Sequence, residues 1–202
     1  MPTPKYPKDK TKVVADFSIK QKDACDMEML YEAMHEWMIN HGFASRDDQE
    51  FGETLFLQRV NDQGAREIWF WWRLEKVPED VADKKAPRYK YQVRINTHTL
   101  GLKKTEIVKD GKKIKLDKGE IEIIIKAYLI KDPEDAWKKS WLPEIFKNWL
   151  WDRGMSDEHD KQEDLLYAEV YAFGEMIKRY FKMHALTSTP EGQFYPQSGV
   201  FE

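Results

Sequence analysis

Cysteine is nearly missing from this sequence: Cys25 stands alone among 202 residues. A single cysteine closes no internal disulfide and supplies no Cys/Cys metal pair. That usage suits a reducing compartment and predicts a cytoplasmic protein. Long apolar runs are missing as well; none approaches the roughly 20 residues that a membrane-crossing helix requires. The opening Met1-Pro-Thr-Pro-Lys-Tyr-Pro-Lys carries charge without an apolar stretch, so no secretory leader is expected. An excess of one charge is also lacking. The chain has 33 Lys+Arg against 36 Asp+Glu, a net charge of -3, which gives no whole-molecule attraction to nucleic acid or anionic lipid. Glycine-rich phosphate loops are missing: there is no G-x-G-x-x-G, no P-loop and no G-x-S-x-G elbow. No catalytic residue, cofactor or metal is assigned on these grounds.

What the chain does have is apolar and aromatic side chains, 41% and 13% of its residues. The length suits one sizeable domain or two small ones. Residues 1–11 are predicted to be a mobile segment, 12–184 a single α+β domain and 185–202 a flexible tail rich in Pro, Gly, Ser and Thr. Residues 12–19 read as a first strand. A helix follows, with Asp23 as its expected cap and Asp26 in its first turn. Met27, Leu30, Tyr31, Met34, Trp37, Met38 and His41 recur at three- and four-residue steps, one face of that helix. Gly42 is its expected stop.

Strands come next. Residues 53–60 and 66–74 read as a hairpin closed by Asn61-Asp62-Gln63-Gly64. Ile68-Trp69-Phe70-Trp71-Trp72 is apolar on both faces, which predicts cover on both sides. Residues 89–97 alternate, with Tyr89, Tyr91, Val93 and Ile95 on one side. A hairpin is predicted around Asp110-Gly111, then a turn at Asp117-Lys118-Gly119. The main strand, residues 120–130, places Ile121, Ile123, Ile125, Ala127 and Leu129 on one face. Asp132-Pro133 predicts a helix start, and Trp137, Trp141, Ile145 and Trp149 recur every four residues after it. A last helix, capped by Ser156, carries Leu166, Val170, Phe173, Ile177, Tyr180 or Phe181, and His184.

Strands grouped in the middle with helices at both flanks predict an α+β fold: a mostly antiparallel sheet of six or so strands, one N-terminal helix and a long C-terminal helix. This order resembles helix-grip folds of the START-like and polyketide-cyclase-like kind. The resemblance implies a curved sheet wrapped on the last helix, with an apolar cavity between them. The tryptophan-rich segment at residues 133–153 departs from it.

Individual motifs are mostly explained by packing. Glu32-x-x-His35 has the spacing of a carboxylate–imidazole metal pair, but di-iron bundles need two such motifs and this chain has one. Asp157, Glu158 and Asp160 around His159 suit a helix N-terminus. Cys25 has no adjacent base, and Asp23 and Asp26 oppose a thiolate. The aromatic excess on strands and helices points instead to a non-catalytic binding protein for an apolar small molecule or a protein partner. Its expected lining is Trp69, Trp71, Tyr91, Tyr128, Trp137, Trp141, Phe173 and Ile177. A first alternative is an RNA- or ribosome-associated protein using Lys103, Lys104, Lys112, Lys113 and Lys115 on the hairpin at residues 103–118. A second is an enzyme whose site is assembled from dispersed residues such as Arg94, His98, Glu122 and Tyr128.

Overall fold

A computed structural model describes residues 6–7, 10–45, 51–78, 87–109, 112–135, 153 and 155–188, with side chains throughout except at 107–109, 112, 114 and 183–188. The fold is α+β. Strands β1 (Thr11–Gln21), β2 (Ala24–Cys25), β3 (Glu53–Val60), β4 (Arg66–Lys76), β5 (Tyr89–Lys109) and β6 (Lys112–Lys131) form one sheet. Helices α1 (Met27–Asn40) and α2 (Ser156–Ser188) accompany it. The strand order is β1-β6-β5-β4-β3, with β2 also paired to β6, and every pairing is antiparallel. The first strand therefore lies beside the last, and the others follow in reverse order.

Strand alternation separates the two faces of the sheet. The inner face carries Ile68, Phe70, Trp72 and Leu74 of β4, Tyr89, Tyr91, Val93 and Ile95 of β5, and Ile121, Ile123, Ile125, Ala127 and Leu129 of β6, all buried. Helix α1 contributes Met27, Leu30, Met34 and Met38 to this core, and α2 contributes Leu166, Val170, Phe173, Ile177, Tyr180 and Phe181. At about 0.8 kcal/mol per buried methylene, this single core is the main stabilising term.

Polar anchors fix α2. At its N-terminal end Tyr89 Oη lies 2.7 Å from His159 Nδ1, and Tyr91 Oη donates to Gln162 Oε1 at 2.6 Å. Lys76 Nζ donates to Glu169 Oε1 at 2.5 Å. Farther along, Tyr180 Oη donates to the carbonyl of Asp26 at 2.7 Å. His159 is thus a buried hydrogen-bonding residue rather than the centre of an acidic surface cluster.

Helix α1 ends as expected. Gly42 has φ 73°, its N–H reaches the Ile39 carbonyl at 3.0 Å, and the Phe43 N–H reaches the Met38 carbonyl at 2.9 Å, which is a Schellman stop. Its start differs from the expectation. Asp26, not Asp23, is the cap: Asp26 Oδ1 accepts from the Met29 N–H at 3.1 Å. Ala24 and Cys25 pair with Lys118 and Asp117 of β6, and that pairing holds the chain extended until Asp26.

The long hairpin also differs. β5 and β6 run 21 and 20 residues, so β5 continues past the expected strand of residues 89–97 and the expected turn at Asp117-Lys118-Gly119 does not interrupt β6. A register shift between Leu100 and Lys103, with Gly101 at φ 64°, absorbs the irregularity as a bulge. The turn at Asn61 forms as expected: its Oδ1 accepts from the N–H groups of Gln63 and Ala65 at 3.1 and 2.8 Å. Asp132 to Asp135 form a tight turn, with both Asp132 and Asp135 at positive φ. The expected helix bearing Trp137 and Trp141, the Asp110-Gly111 turn and the tail beyond residue 188 lie outside the described residues. α2 itself continues to Ser188, past the expected boundary at residue 184.

Candidate functional site

The space between the sheet and α2 is occupied by Phe173 and Ile177, both fully buried. A groove of about 550 Å³ opens instead beside α1, where the helix passes over the β3–β4 end of the sheet. Met27 and Tyr31 form the helical wall, while Phe56 of β3 and Ile68 and Phe70 of β4 form the sheet wall. Met27 and Tyr31 are four residues apart and so share one helix face. Ile68 and Phe70 are two apart and share one strand face. Tyr31 sits edge-on to Phe70 and Trp72, at 5.2 Å from each ring centre, and Phe56 lies 6.4 Å away. Phe56 is 55% exposed, so the groove has an open apolar lip.

Charge is concentrated at one end. Asp117 is buried, and Arg66 Nη2 and Lys104 Nζ both pair with its carboxylate, the lysine at 3.2 Å. Two cations on one carboxylate leave a net positive end. Glu28 and Glu32 of α1 also line the groove and give its helical lip the opposite sign. Past Tyr31 and Glu32, a second recess of about 430 Å³ is lined by His35, Glu36, Phe51 and Glu53. There Glu53 Oε1 accepts from Trp72 Nε1 at 3.1 Å and from the Tyr31 hydroxyl at 3.2 Å. His35 lies against Phe51, with ring centres 4.1 Å apart. Among the described residues no group of three or more His, Cys, Asp or Glu side chains is placed to hold a metal ion.

Cys25 lies close to the charged end, fully buried. Burial pushes its thiol up to about 12, and the nearby carboxylates of Asp117, Asp26 and Asp23 add to the shift. It is a neutral packing group at physiological pH and not a nucleophile.

The residues expected to line a site divide between the two faces of the sheet. Tyr91, Phe173 and Ile177 are buried on the inner side. Trp69, Trp71 and Tyr128 point to the outer side, where Trp71 is 40% exposed and the other two are half-buried. The expectation of cover on both sides of β4 is therefore met fully only on the inner side. Trp137 and Trp141 are outside the described residues. The four residues suggested for a dispersed enzyme do share the outer face: His98 is paired with Glu122 across the strands, and Arg94 lies over the Tyr128 ring at 4.7 Å. Glu122, however, pairs with Lys20 at 3.0 Å, and His98 Nε2 is buried without a hydrogen-bond partner. On the β5–β6 hairpin Lys103, Lys104, Lys113 and Lys115 are exposed, with Lys104 held by Asp117 and Lys113 3.8 Å from Glu106. The side chain of Lys112 is not among those described.

The groove residues Met27, Phe56, Arg66, Ile68, Phe70, Lys104 and Asp117 were not foreseen as a set. They come from five elements, and only Asp117, a carboxylate between strand residues, marks its position as unusual. A scan against protein-family models finds no match, and a search of curated proteins finds no similar sequence. The site therefore rests on its own chemistry. No helix among the described residues is long and apolar enough to cross a membrane.

Proposed function

We propose that this chain is a non-catalytic binding protein that holds an apolar small molecule in the groove between α1 and the β3–β4 end of the sheet. The observation that carries this reading is the groove itself: about 550 Å³, walled by Met27, Tyr31, Phe56, Ile68 and Phe70. Small-molecule pockets commonly fall between about 300 and 1,000 Å³, apolar in the main with a few polar groups that fix orientation. Arg66, Lys104 and Asp117 supply those groups here, so the favoured ligand is apolar along most of its length and carries a polar or anionic end. A catalytic reading has less support, because the only buried thiol is held neutral and no base–nucleophile pair lines the groove.

Phe56 offers the cleanest test because it is exposed and its loss leaves the core intact. Replacing Phe56 with Ala should weaken binding of a fluorescent fatty-acid analogue about tenfold, since an aromatic side chain in contact with a ligand contributes on the order of 1–2 kcal/mol. The thermal midpoint should hardly change. Equal affinity in the two proteins would move the ligand out of this groove. Native mass spectrometry of the protein from its own cells adds an independent check: a retained mass of a few hundred daltons supports the reading. A second polypeptide would favour a protein partner on the edge strand β3, where Phe56, Leu57 and Val60 are exposed.

A further inference from the structure

The outer face of the sheet carries charge that the groove does not use. Across the strands, one row reads Arg73, Arg94, Lys126, Asp16. The next reads Trp71, Asn96, Ile124, Ser18, and the one after it Trp69, His98, Glu122, Lys20. Most carboxylates of this face already have a cation. Asp16 binds Lys126 at 2.8 Å, Glu122 binds Lys20 at 3.0 Å, and Glu75 lies 3.3 Å from Lys90. Glu67, two positions beyond Trp69, is farther along the strand.

Arg73 and Arg94 stand directly opposite each other, and among the described residues neither pairs with a carboxylate. Arg73 Nη1 donates to the carbonyls of Trp72 and Ile95, at 2.7 and 3.3 Å. Arg94 Nε and Nη2 both donate to Gln92 Oε1, at 3.0 and 2.8 Å. Like charges directly opposite on a sheet oppose folding, and both of these side chains are half-buried. Burial and the facing Arg94 together lower the pKa of Arg73, so the unliganded sheet works against its own charge. Each guanidinium also borders an aromatic ring: Arg73 lies 5.9 Å from the centre of Trp71 and Arg94 4.7 Å from that of Tyr128. Beside them Asn96 Oδ1 and His98 Nε2 are buried without hydrogen-bond partners. An anion joined to a planar ring would relieve the repulsion and use the aromatic surface.

We propose that this face binds single-stranded nucleic acid, with a phosphate between Arg73 and Arg94 and a base stacked on Trp71. Arg73 and Trp71 are two residues apart on one strand, on the order of 7 Å, within the reach of one nucleotide. Sheet surfaces suit single strands because unstacked bases can lie on exposed rings while cations follow the backbone. A base-paired duplex offers phosphates but no unstacked base to lie on Trp71, so it should compete poorly.

The test is fluorescence anisotropy with labelled oligouridine RNA and oligothymidine DNA, titrated at several salt concentrations. Binding should appear at low salt and weaken with a log–log slope of about -0.7, the value for one phosphate on a single strand. The R73Q/R94Q protein should bind at least about tenfold more weakly, and Trp71→Ala by about 5- to 150-fold, the range for one stacked base. R73Q/R94Q should also melt at the same temperature as the parent or higher, because a repulsive pair has been removed; an arginine pair with a purely structural role would lower it. A K103A/K113A/K115A protein should retain its affinity to within about twofold, as those lysines lie beyond the bulge, toward the far end of the hairpin from Arg94. The proposal is overturned by absence of binding at low salt, by loss in the lysine variant with retention in the arginine variant, or by inorganic phosphate displacing the strand as well as unlabelled strand does.

Discussion

Asp117 shows how much one side chain organises. Its carboxylate is buried between Arg66, 51 positions earlier in sequence, and Lys104 on the neighbouring strand. A buried carboxylate is tolerated only when paired, and removing one partner of a buried pair typically costs about 3–5 kcal/mol. Here the arginine is a quarter exposed and the lysine more so, so water offsets part of the loss. Asp117→Asn should lower stability by about 2 kcal/mol in urea titrations. A second effect falls on Cys25. After burial, the Asp117 charge is the largest contribution to the raised thiol pKa. In Asp117→Asn the thiol should therefore ionise at lower pH, seen as thiolate absorbance appearing earlier in an alkaline titration. An unchanged thiol titration would mean that the two groups are not neighbours.

At the scale of elements, the long β5–β6 hairpin depends on two glycines for different reasons. Gly101 occupies φ 64° with open space around it, so a side chain there meets only backbone strain. Gly119 has ordinary backbone, but a Cβ would lie 2.8 Å from the Leu100 carbonyl oxygen and 3.0 Å from Leu102 Cα. Those atoms belong to the bulge and cannot rotate away. Gly119→Ala should cost about 1–3 kcal/mol through overpacking, and Gly101→Ala about 1 kcal/mol. Equal urea midpoints for Gly119→Ala and the parent protein would place the bulge elsewhere. The same region shows where local sequence stops being informative. The alternation of Tyr89, Tyr91, Val93 and Ile95 and the stripe of α1 were legible because each repeats with the period of its own element. The continuity of β6 through Asp117 was not, because the partner that makes a buried Asp acceptable is remote in sequence. The cap at Asp26 was missed for the same reason, since β2 exists only by pairing with β6. In β4 the apolar run left the choice of face undetermined. Trp69 and Trp71 could have been core as readily as Ile68, Phe70 and Trp72, and this is why the expected lining residues fall on both sides of the sheet.

For the molecule as a whole, the strongest prediction concerns alkaline pH, because three neutral acids, Tyr89, Tyr180 and Cys25, are buried in the folded chain. Tyr89 joins β5 to the start of α2, Tyr180 joins the later part of α2 to the cap of α1, and Cys25 lies between β6 and α1. Burial pushes Tyr89 and Cys25 up to about 12, and it raises Tyr180 as well, with Asp26 adding to the shift. In the unfolded chain the thiol ionises near pH 9 and the phenols near pH 10. The folded state therefore keeps protons that the unfolded state has already released. For groups whose folded pKa is raised, the stabilisation is complete below the unfolded pKa and is lost as pH climbs toward the folded one. Stability should be flat to about pH 9 and then fall, each group contributing a slope of up to about 1.4 kcal/mol per pH unit. Urea unfolding at pH 8, 9.5 and 11 measures this directly, and Tyr89→Phe should reduce the slope above pH 10 because its phenol no longer titrates. A midpoint that holds steady to pH 11 would mean that these groups are as accessible folded as unfolded. Since Tyr89 ties the start of α2 to β5 and Tyr180 ties its later part to the cap of α1, their ionisation should loosen α2 from the sheet and from α1 together. Any ligand held in the groove beside α1 should then dissociate over the same pH range in which the fold is lost.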